Sequence, residues 1–188
     1  MLESILAFDK TAVYYVQAHW TNSFLDAIMP YITRLGSVGI LWIVIALILI
    51  CTKRYRHIGI TMGVALFLGA MVGNVLIKPL IARARPSHVD PEMLRLISNP
   101  TSYSFPSGHT LSSFAAATSI FIYKKGVGTL ALLMAALIAY SRIYLFVHYP
   151  TDLLVGMLIG VSVAIAAYFI VRFVAERVHF GGFSRRRI

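Results

Sequence analysis

Long apolar stretches dominate the chain and alternate with short polar segments. Residues 58–77 and 153–171 contain no charged residue. Each is close to the ~20 residues that an α-helix needs to cross the hydrocarbon core of a bilayer. Residues 35–52 form a third such stretch, which ends at a basic cluster beginning with Lys53. The pattern predicts three membrane-spanning helices.

Two further stretches reach spanning length only if polar residues are accepted at their ends. They cover about residues 107–123 and about 126–147. Residues 1–34 differ, because charged residues interrupt the apolar pattern before any stretch is long enough to span, and this favours an amphipathic segment at the membrane interface. We therefore predict an all-α integral membrane bundle of about five transmembrane helices, with six possible.

The composition agrees with a membrane protein, since 59% of the 188 residues are hydrophobic and 13% are charged. No internal repeat or linker divides the chain. We predict a single domain over residues 1–188, with an interfacial segment over 1–34, the transmembrane bundle over 35–174 and a basic cytoplasmic tail over 175–188. The sole cysteine, Cys51, excludes an intramolecular disulfide and a cysteine-based metal site.

Five spans divide the charges unequally between two faces. One face carries ten basic residues and one acidic residue, and the other carries seven basic and six acidic residues. The positive-inside rule makes the basic face cytoplasmic. Topology and contact with anionic lipids explain the net charge of +10, so no nucleic-acid partner is predicted.

The opposite face collects polar residues near predicted helix ends. Lys78 ends the second apolar stretch, and Arg85 follows seven residues later. If the helix persists past Pro79, the two cations lie about two turns apart on one face and can point at one anion. The alternative is that both extend to lipid headgroups, as basic residues at the ends of spans commonly do.

The segment PSGHT begins the next apolar stretch. Ser107 is a favourable N-cap residue, and Gly108 lets an anion approach the free backbone N–H groups of a helix start. His109 would lie beside that anion, where an imidazole can transfer a proton near neutral pH. The alternative is an ordinary capped helix with an interfacial histidine.

The segment SRIYLFVHYPTD joins the last two apolar stretches. Pro150 is typical of the first turn of a helix, and Asp152 suits the positive end of that helix. Asp152 can also accept a hydrogen bond from one ring nitrogen of His148 and leave the other nitrogen free as a nucleophile. A capping role for Asp152 alone would leave Arg142 and His148 unexplained.

The joint placement of these groups favours chemistry over separate structural roles. A charged residue at the bilayer centre costs roughly 2.5–3.5 kcal/mol on insertion scales, and less near the interface. Three cations, a helix N-terminus and two histidines, one of them with a carboxylate, are what phosphoryl transfer through a phosphohistidine requires. The sequence shows no competing spacing of metal ligands, and we expect no metal or cofactor.

Three segments resemble a known family signature. They read K-x6-RP from Lys78, PSGH from Pro106, and SR-x5-H-x3-D from Ser141 to Asp152. In residue type, order and spacing they resemble the type-2 phosphatidic acid phosphatases, or lipid phosphate phosphatases, of the bacterial integral-membrane branch. The resemblance covers about residues 78–152.

The resemblance implies a metal-independent phosphatase that cleaves a phosphomonoester or diphosphate on a lipid. Its substrate would be of the undecaprenyl diphosphate, phosphatidylglycerol phosphate or phosphatidic acid type. His148 would be the nucleophile, Asp152 its orienting partner, and His109 the proton donor to the leaving oxygen and then the base for water. The phosphate-binding residues would be Lys78, Arg85, Ser107, Gly108 and Arg142.

The sequence leaves other points open. Arg83 lies outside the signature and is expected to contact lipid or a loop. The site would face outside the cytoplasm in the cell membrane, and the oligomeric state is undetermined. The alternative function is a lipid-headgroup binding protein or small transporter without catalysis, which would need the cations but not two histidines with a positioned carboxylate.

Overall fold

The computed structural model describes residues 2–93 and 96–178, and its regular structure there is helical throughout. The all-α membrane bundle predicted from the sequence is therefore confirmed. The α-helices, in chain order, are α1 Leu2–His19, α2 Ser23–Leu35, α3 Ile40–Cys51, α4 Arg56–Gly69, α5 Lys78–Ile81, α6 Pro86–Val89, α7 Gly108–Tyr123, α8 Lys125–Tyr144 and α9 Pro150–Val178. A π-helical segment, Ala70–Ile77, joins α4 to α5 without a break.

Helix α7 lies at the centre of the bundle and packs against α4, α8 and α9. Its buried residues include Ala115, Ala116, Ala117 and Ser119. Small residues allow neighbouring helix backbones to approach closely, which is how helices associate where lipid removes the usual hydrophobic driving force. The N-terminus of α7, which carries the PSGH segment, lies between the π-helical segment and α9: a Cβ on Gly108 would meet Asn74, and a Cβ on Gly156 would meet the Ser107 carbonyl.

In the described part of the chain, three helical stretches are long and apolar enough to span a membrane: Arg56–Val89, Lys125–Tyr144 and Pro150–Arg177. Helices α2 and α3 pass the same test as a pair bent by 48°. The predicted span over residues 35–52 is not one continuous helix, because Gly39 has a φ of 69° and α3 begins only at Ile40, and its crossing of the membrane stays a prediction. Helix α7 has 16 residues, which is fewer than the ~20 that an α-helix needs to cross the hydrocarbon core. The count of about five spans stays a prediction.

The N-terminal helices contribute to the core. Val16 and Met29 are buried with Tyr144 and Val147 from the corner between α8 and α9. Asp9 is fully buried. The location of residues 1–34 at the membrane interface and the single-domain organisation stay predictions, and the tail beyond residue 178 lies outside the described residues.

The tight turn between α7 and α8 provides a test of the packing. A single residue, Lys124, separates the two helices, and a Cβ on Gly128 would lie 2.2 Å from the Cα of Phe121. A Cβ on Gly126 would meet nothing within 4 Å.

We expect Gly128→Ala to destabilise the protein by about 1–3 kcal/mol, because the backbone must shift. Gly126→Ala is the control and should be neutral or stabilising by up to about 1 kcal/mol through helix propensity. Thermal melting in detergent measures both. Equal melting temperatures for the two variants would contradict this packing.

Candidate active site

Six of the eight predicted site residues line one cavity of about 1150 Å³, and the other two, Ser107 and Asp152, are buried behind it. They come from the end of the α4–α5 stretch, the loop after α5, the start of α7 and the corner between α8 and α9. The residues of the sequence prediction on this surface are Lys78, Arg85, Gly108, His109, Arg142 and His148. The structure therefore brings together cations and histidines that lie up to 70 residues apart in sequence.

Lys78 and Arg85 reach this cavity by a different route from the one predicted. Helix α5 ends at Ile81, and Ala82 adopts a left-handed conformation with a φ of 46°. The helix therefore does not persist as far as Arg85, and the interpretation of one shared helical face is wrong. The turn at Ala82 redirects the chain so that Arg85 enters the site from a loop.

The contact between Arg85 and His148 determines which ring nitrogen of the histidine carries the proton. Arg85 Nη1 lies 2.8 Å from Nε2 of His148 and 2.8 Å from the carbonyl oxygen of Val147. Because a guanidinium only donates hydrogen bonds, Nε2 must be the acceptor and the proton lies on Nδ1. The Nε2 lone pair is therefore directed toward a cation.

His148 is nearly inaccessible, with an exposed fraction of 1%. Burial, followed by the charges of Arg85, Arg142 and Lys78, lowers the pKa of His148 well below its ordinary value. The imidazole is therefore neutral at neutral pH, and its Nε2 lone pair, which accepts from Arg85 in this structure, can act as a nucleophile once Arg85 donates to a phosphate oxygen instead.

Asp152 orients His148 from the other side. One carboxylate oxygen, Oδ2, lies 3.3 Å from His148 Nδ1 and accepts hydrogen bonds from the Tyr149 backbone N–H at 2.9 Å and from the Ser104 hydroxyl. The other oxygen, Oδ1, accepts from Arg83 Nη1 at 2.8 Å. The fully buried carboxylate is thus paired on both oxygens.

The expectation that Arg83 contacts lipid or a loop was wrong. Its side chain forms ion pairs with Asp152 and with Asp9 of α1, the latter at 2.7 Å, and donates to the Thr151 hydroxyl at 2.9 Å. Its guanidinium also lies 4.0 Å from the ring centre of Tyr149. Arg83 is therefore part of the network behind the histidine.

Arg142 is buried, and one of its hydrogen-bond donors has no partner in the described part of the chain. Its side chain lines the cavity, and Nη1 donates to the Thr33 hydroxyl of α2. Nε is buried without a hydrogen-bond partner among residues 2–93 and 96–178. A buried donor without a partner is costly, so an anion in the cavity would stabilise it.

The start of α7 has the predicted cap. Ser107 Oγ accepts hydrogen bonds from the backbone N–H and the hydroxyl of Thr110, at 3.4 Å and 3.0 Å. Ser107 is buried, whereas Gly108 and His109 line the cavity. The capping function of Ser107 is therefore confirmed, and its contact with phosphate stays a prediction.

The cavity lining is amphipathic. Its cationic part contains Lys78, Arg85 and Arg142, and its apolar part comes from α3 and α4, including Leu47 and Phe67. These two apolar side chains are 55% and 63% exposed, so this part of the cavity is open. The cavity therefore suits an anion attached to an apolar chain that lies along the side chains of α3 and α4.

Sequence reasoning missed four residues that support the site. Ser104 precedes the PSGH segment by two positions, and Arg83 precedes Arg85 by two, so proximity to the motifs was an available signal. Asp9 and Thr33 lie far from every motif in sequence. Only the folded structure shows their contacts with Arg83 and Arg142.

Comparison with known proteins gives a consistent result. The sequence profile of the PAP2 superfamily matches residues 58–176. An undecaprenyl-diphosphatase from Sulfolobus acidocaldarius is 36% identical over 138 residues, which are 72% of this chain and 66% of that protein, just under two thirds of its length. A decaprenylphosphoryl-5-phosphoribose phosphatase from Mycobacterium tuberculosis is 34% identical over 134 residues, 70% of this chain and 72% of that protein.

A solved structure has the same fold as this chain and supports the same family assignment as the sequence relatives. The crystal structure of Aquifex aeolicus LpxE superposes with a TM-score of 0.75 at 26% identity, covering 85% of this chain and 93% of that one. The chain belongs to the PAP2 superfamily, a family of metal-independent phosphatases that hydrolyse phosphoester or diphosphate bonds. Within that family it is a membrane protein and a lipid phosphatase.

The bond from Ser104 to Asp152 is open to a direct test. We expect Ser104→Ala to lower kcat for a lipid phosphate about 10- to 100-fold, because the lost bond to a charged group is worth about 1.5–3 kcal/mol. Ser119→Ala is the matched control, since Ser119 is also fully buried but bonds the Ala115 carbonyl of its own helix. Steady-state phosphate release measures both. Equal effects of the two variants would show that Ser104 has no special relation to the site.

Proposed function

We propose that this phosphatase transfers a phosphoryl group from a membrane lipid to Nε2 of His148 and then to water. The observation that carries the proposal is the contact of a buried, neutral His148 with Arg85 through Nε2 and with Asp152 through Nδ1. A nucleophile held in this way directs its Nε2 lone pair into a cationic cavity, where a bound phosphate would draw the Arg85 guanidinium onto its own oxygens and release the lone pair for attack on phosphorus.

The proposed first step breaks the bond between phosphorus and the leaving oxygen as the bond between phosphorus and Nε2 forms. Lys78, Arg85 and Arg142 stabilise the charge on the phosphate oxygens, together with the Ser107 hydroxyl and the Gly108 backbone N–H at the α7 start. His109 protonates the leaving oxygen. Asp152 stabilises the positive charge that develops on the imidazole.

The second step reverses these roles. His109, now without its proton, removes a proton from water as the water oxygen bonds to phosphorus and the bond between phosphorus and Nε2 breaks. His148 returns to the neutral tautomer that Arg85 and Asp152 favour. The cycle consumes one water molecule and releases phosphate and the lipid product.

The proposed substrate is a polyprenyl diphosphate or phosphate. The apolar part of the cavity, formed by α3 and α4, supports a lipid chain next to the phosphate-binding residues. Two relatives are named for polyprenyl-linked phosphates. Phosphatidylglycerol phosphate and phosphatidic acid are the comparison substrates, because the same cationic pocket suits any phosphorylated lipid.

We propose further that the site faces outside the cytoplasm in the cell membrane. The support is the excess of basic residues on the opposite face, which the positive-inside rule retains in the cytoplasm. The substrate phosphate would then be removed on the outer surface of the membrane.

Substitution of the two histidines tests the mechanism, because their roles predict different residual activities. We expect His148→Ala to abolish turnover and covalent phosphate. His109→Ala should lose about 10²–10⁴-fold on a lipid substrate. It should still transfer phosphate from an aryl phosphate, whose leaving group needs no proton, and then accumulate a phosphoenzyme. Rapid quenching and mass spectrometry detect the base-stable, acid-labile adduct.

The control is His19→Ala, since His19 is exposed at the end of α1. It should retain the wild-type rate of phosphate release. Phosphate release by the wild-type protein and by each active variant should persist in excess EDTA. An adduct in the His148 variant, or equal defects on lipid and aryl substrates in the His109 variant, would refute these roles. A protein that binds lipid phosphates without releasing phosphate would instead be the non-catalytic alternative.

A further inference from the structure

We propose that Asp9 is a positioning residue for the reaction: through Arg83 and Thr151 it holds the first turn of α9, and with it Asp152, in register with His148. The inference rests on the proposed function, because it assigns Asp9 a role in keeping the nucleophile oriented. It gives the N-terminal helix α1 a part in catalysis without contact with the substrate.

Asp9 uses both carboxylate oxygens on residues adjacent to the site. Oδ1 accepts a hydrogen bond from the Thr151 backbone N–H at 3.0 Å. Oδ2 accepts from Arg83 Nη2 at 2.7 Å and from the Thr151 hydroxyl. Its exposed fraction is 0%. A buried carboxylate is tolerated only when it is fully paired, so these contacts determine where α1 lies.

The contact with Thr151 acts on α9 itself. Pro150, Thr151 and Asp152 form the first turn of that helix, where backbone N–H groups have no partner within the helix. Asp9 supplies an acceptor for one of them from another helix. Because Asp152 is the next residue, a displacement of Thr151 would change the 3.3 Å separation between Asp152 Oδ2 and His148 Nδ1.

Arg83 connects the two carboxylates. One terminal nitrogen donates to Asp152 and the other to Asp9, so the guanidinium is balanced between two negative charges. Without Asp9, the whole charge of Arg83 would act on Asp152 and compete with His148 for that carboxylate. The pairing therefore affects both the position of Asp152 and its strength as a hydrogen-bond acceptor toward the imidazole.

Asp9 lies outside the segment that the family profile matches, which begins at residue 58. The motif residues alone therefore do not complete the network behind His148. A bond that merely attaches α1 to the bundle would stabilise the fold without changing the rate per folded molecule. A positioning role changes kcat.

The experiment compares Asp9→Asn with Asp26→Asn. Asp26 is the matched control, since its carboxylate also ties an N-terminal helix to the bundle, accepting from the Tyr144 hydroxyl at 2.7 Å, but has no contact with Arg83 or Asp152. For each variant, kcat and KM for a lipid phosphate are measured per folded molecule, together with the melting temperature.

We expect Asp9→Asn to lower kcat about 10- to 100-fold with KM within about twofold of wild type, because small displacements of aligned groups cost rates of this order. Asp26→Asn should lower only the melting temperature. Arg83→Ala combined with Asp9→Asn should reduce kcat by much less than the product of the single effects. The reason is that both residues position Asp152 through the same hydrogen-bond network.

Thr151→Val is the second probe if Asp9→Asn does not fold. It removes the hydroxyl between Asp9 and Arg83 without changing a charge, and should lower kcat about threefold or more at constant KM. Wild-type kcat in the folded Asp9 or Thr151 variant, or independent effects of Asp9 and Arg83, would overturn the proposal. Absence of phosphate release from the wild-type protein would instead refute the proposed function, so the two failures are distinguishable.

Discussion

A fully buried carboxylate, Asp152, determines how the candidate active site of this protein is built. A charge with no exposure to solvent is stable only when its oxygens are paired, and Asp152 is bonded on one side by Arg83 and on the other by Ser104 and the Tyr149 backbone. The remaining neighbour, His148, is held by the same oxygen through Nδ1. The start of α9, the loop before α7 and the loop after α5 must therefore meet at one point.

Opposite charges lie on the two sides of the His148 ring. On the cavity side of His148 lie Arg85 and Arg142, which repel a proton and favour an anion. On the other side, Asp152 holds the single proton of the neutral ring. The cationic side of the cavity continues into apolar surface from α3 and α4, which is the arrangement that a phosphate on a lipid chain requires. The same separation of charge that supports the fold thus supports the proposed chemistry.

The motif residues could be predicted from sequence because each motif is local and falls at an apolar helix end, as the capping of α7 by Ser107 illustrates. The route by which Arg85 enters the site could not be predicted, since the residue that adopts the left-handed conformation is Ala82 and not a glycine. Asp9 and Thr33 were missed for a different reason: their importance depends on tertiary contacts with Arg83 and Arg142, and no spacing in the sequence encodes such contacts. The break between α2 and α3 was missed although Gly36, Ser37 and Gly39 provide a turn signal at that point of the sequence.

The most direct test of this account is the protonation state of His148, observed by ¹⁵N NMR of histidine-labelled protein at neutral pH. The six histidines of the chain are few enough to assign by single substitutions. The account predicts that His148 is neutral, with its proton on Nδ1 and an unprotonated Nε2. A proton on Nε2, or a doubly protonated ring, would contradict it, because Nε2 could then neither accept from Arg85 nor attack phosphorus.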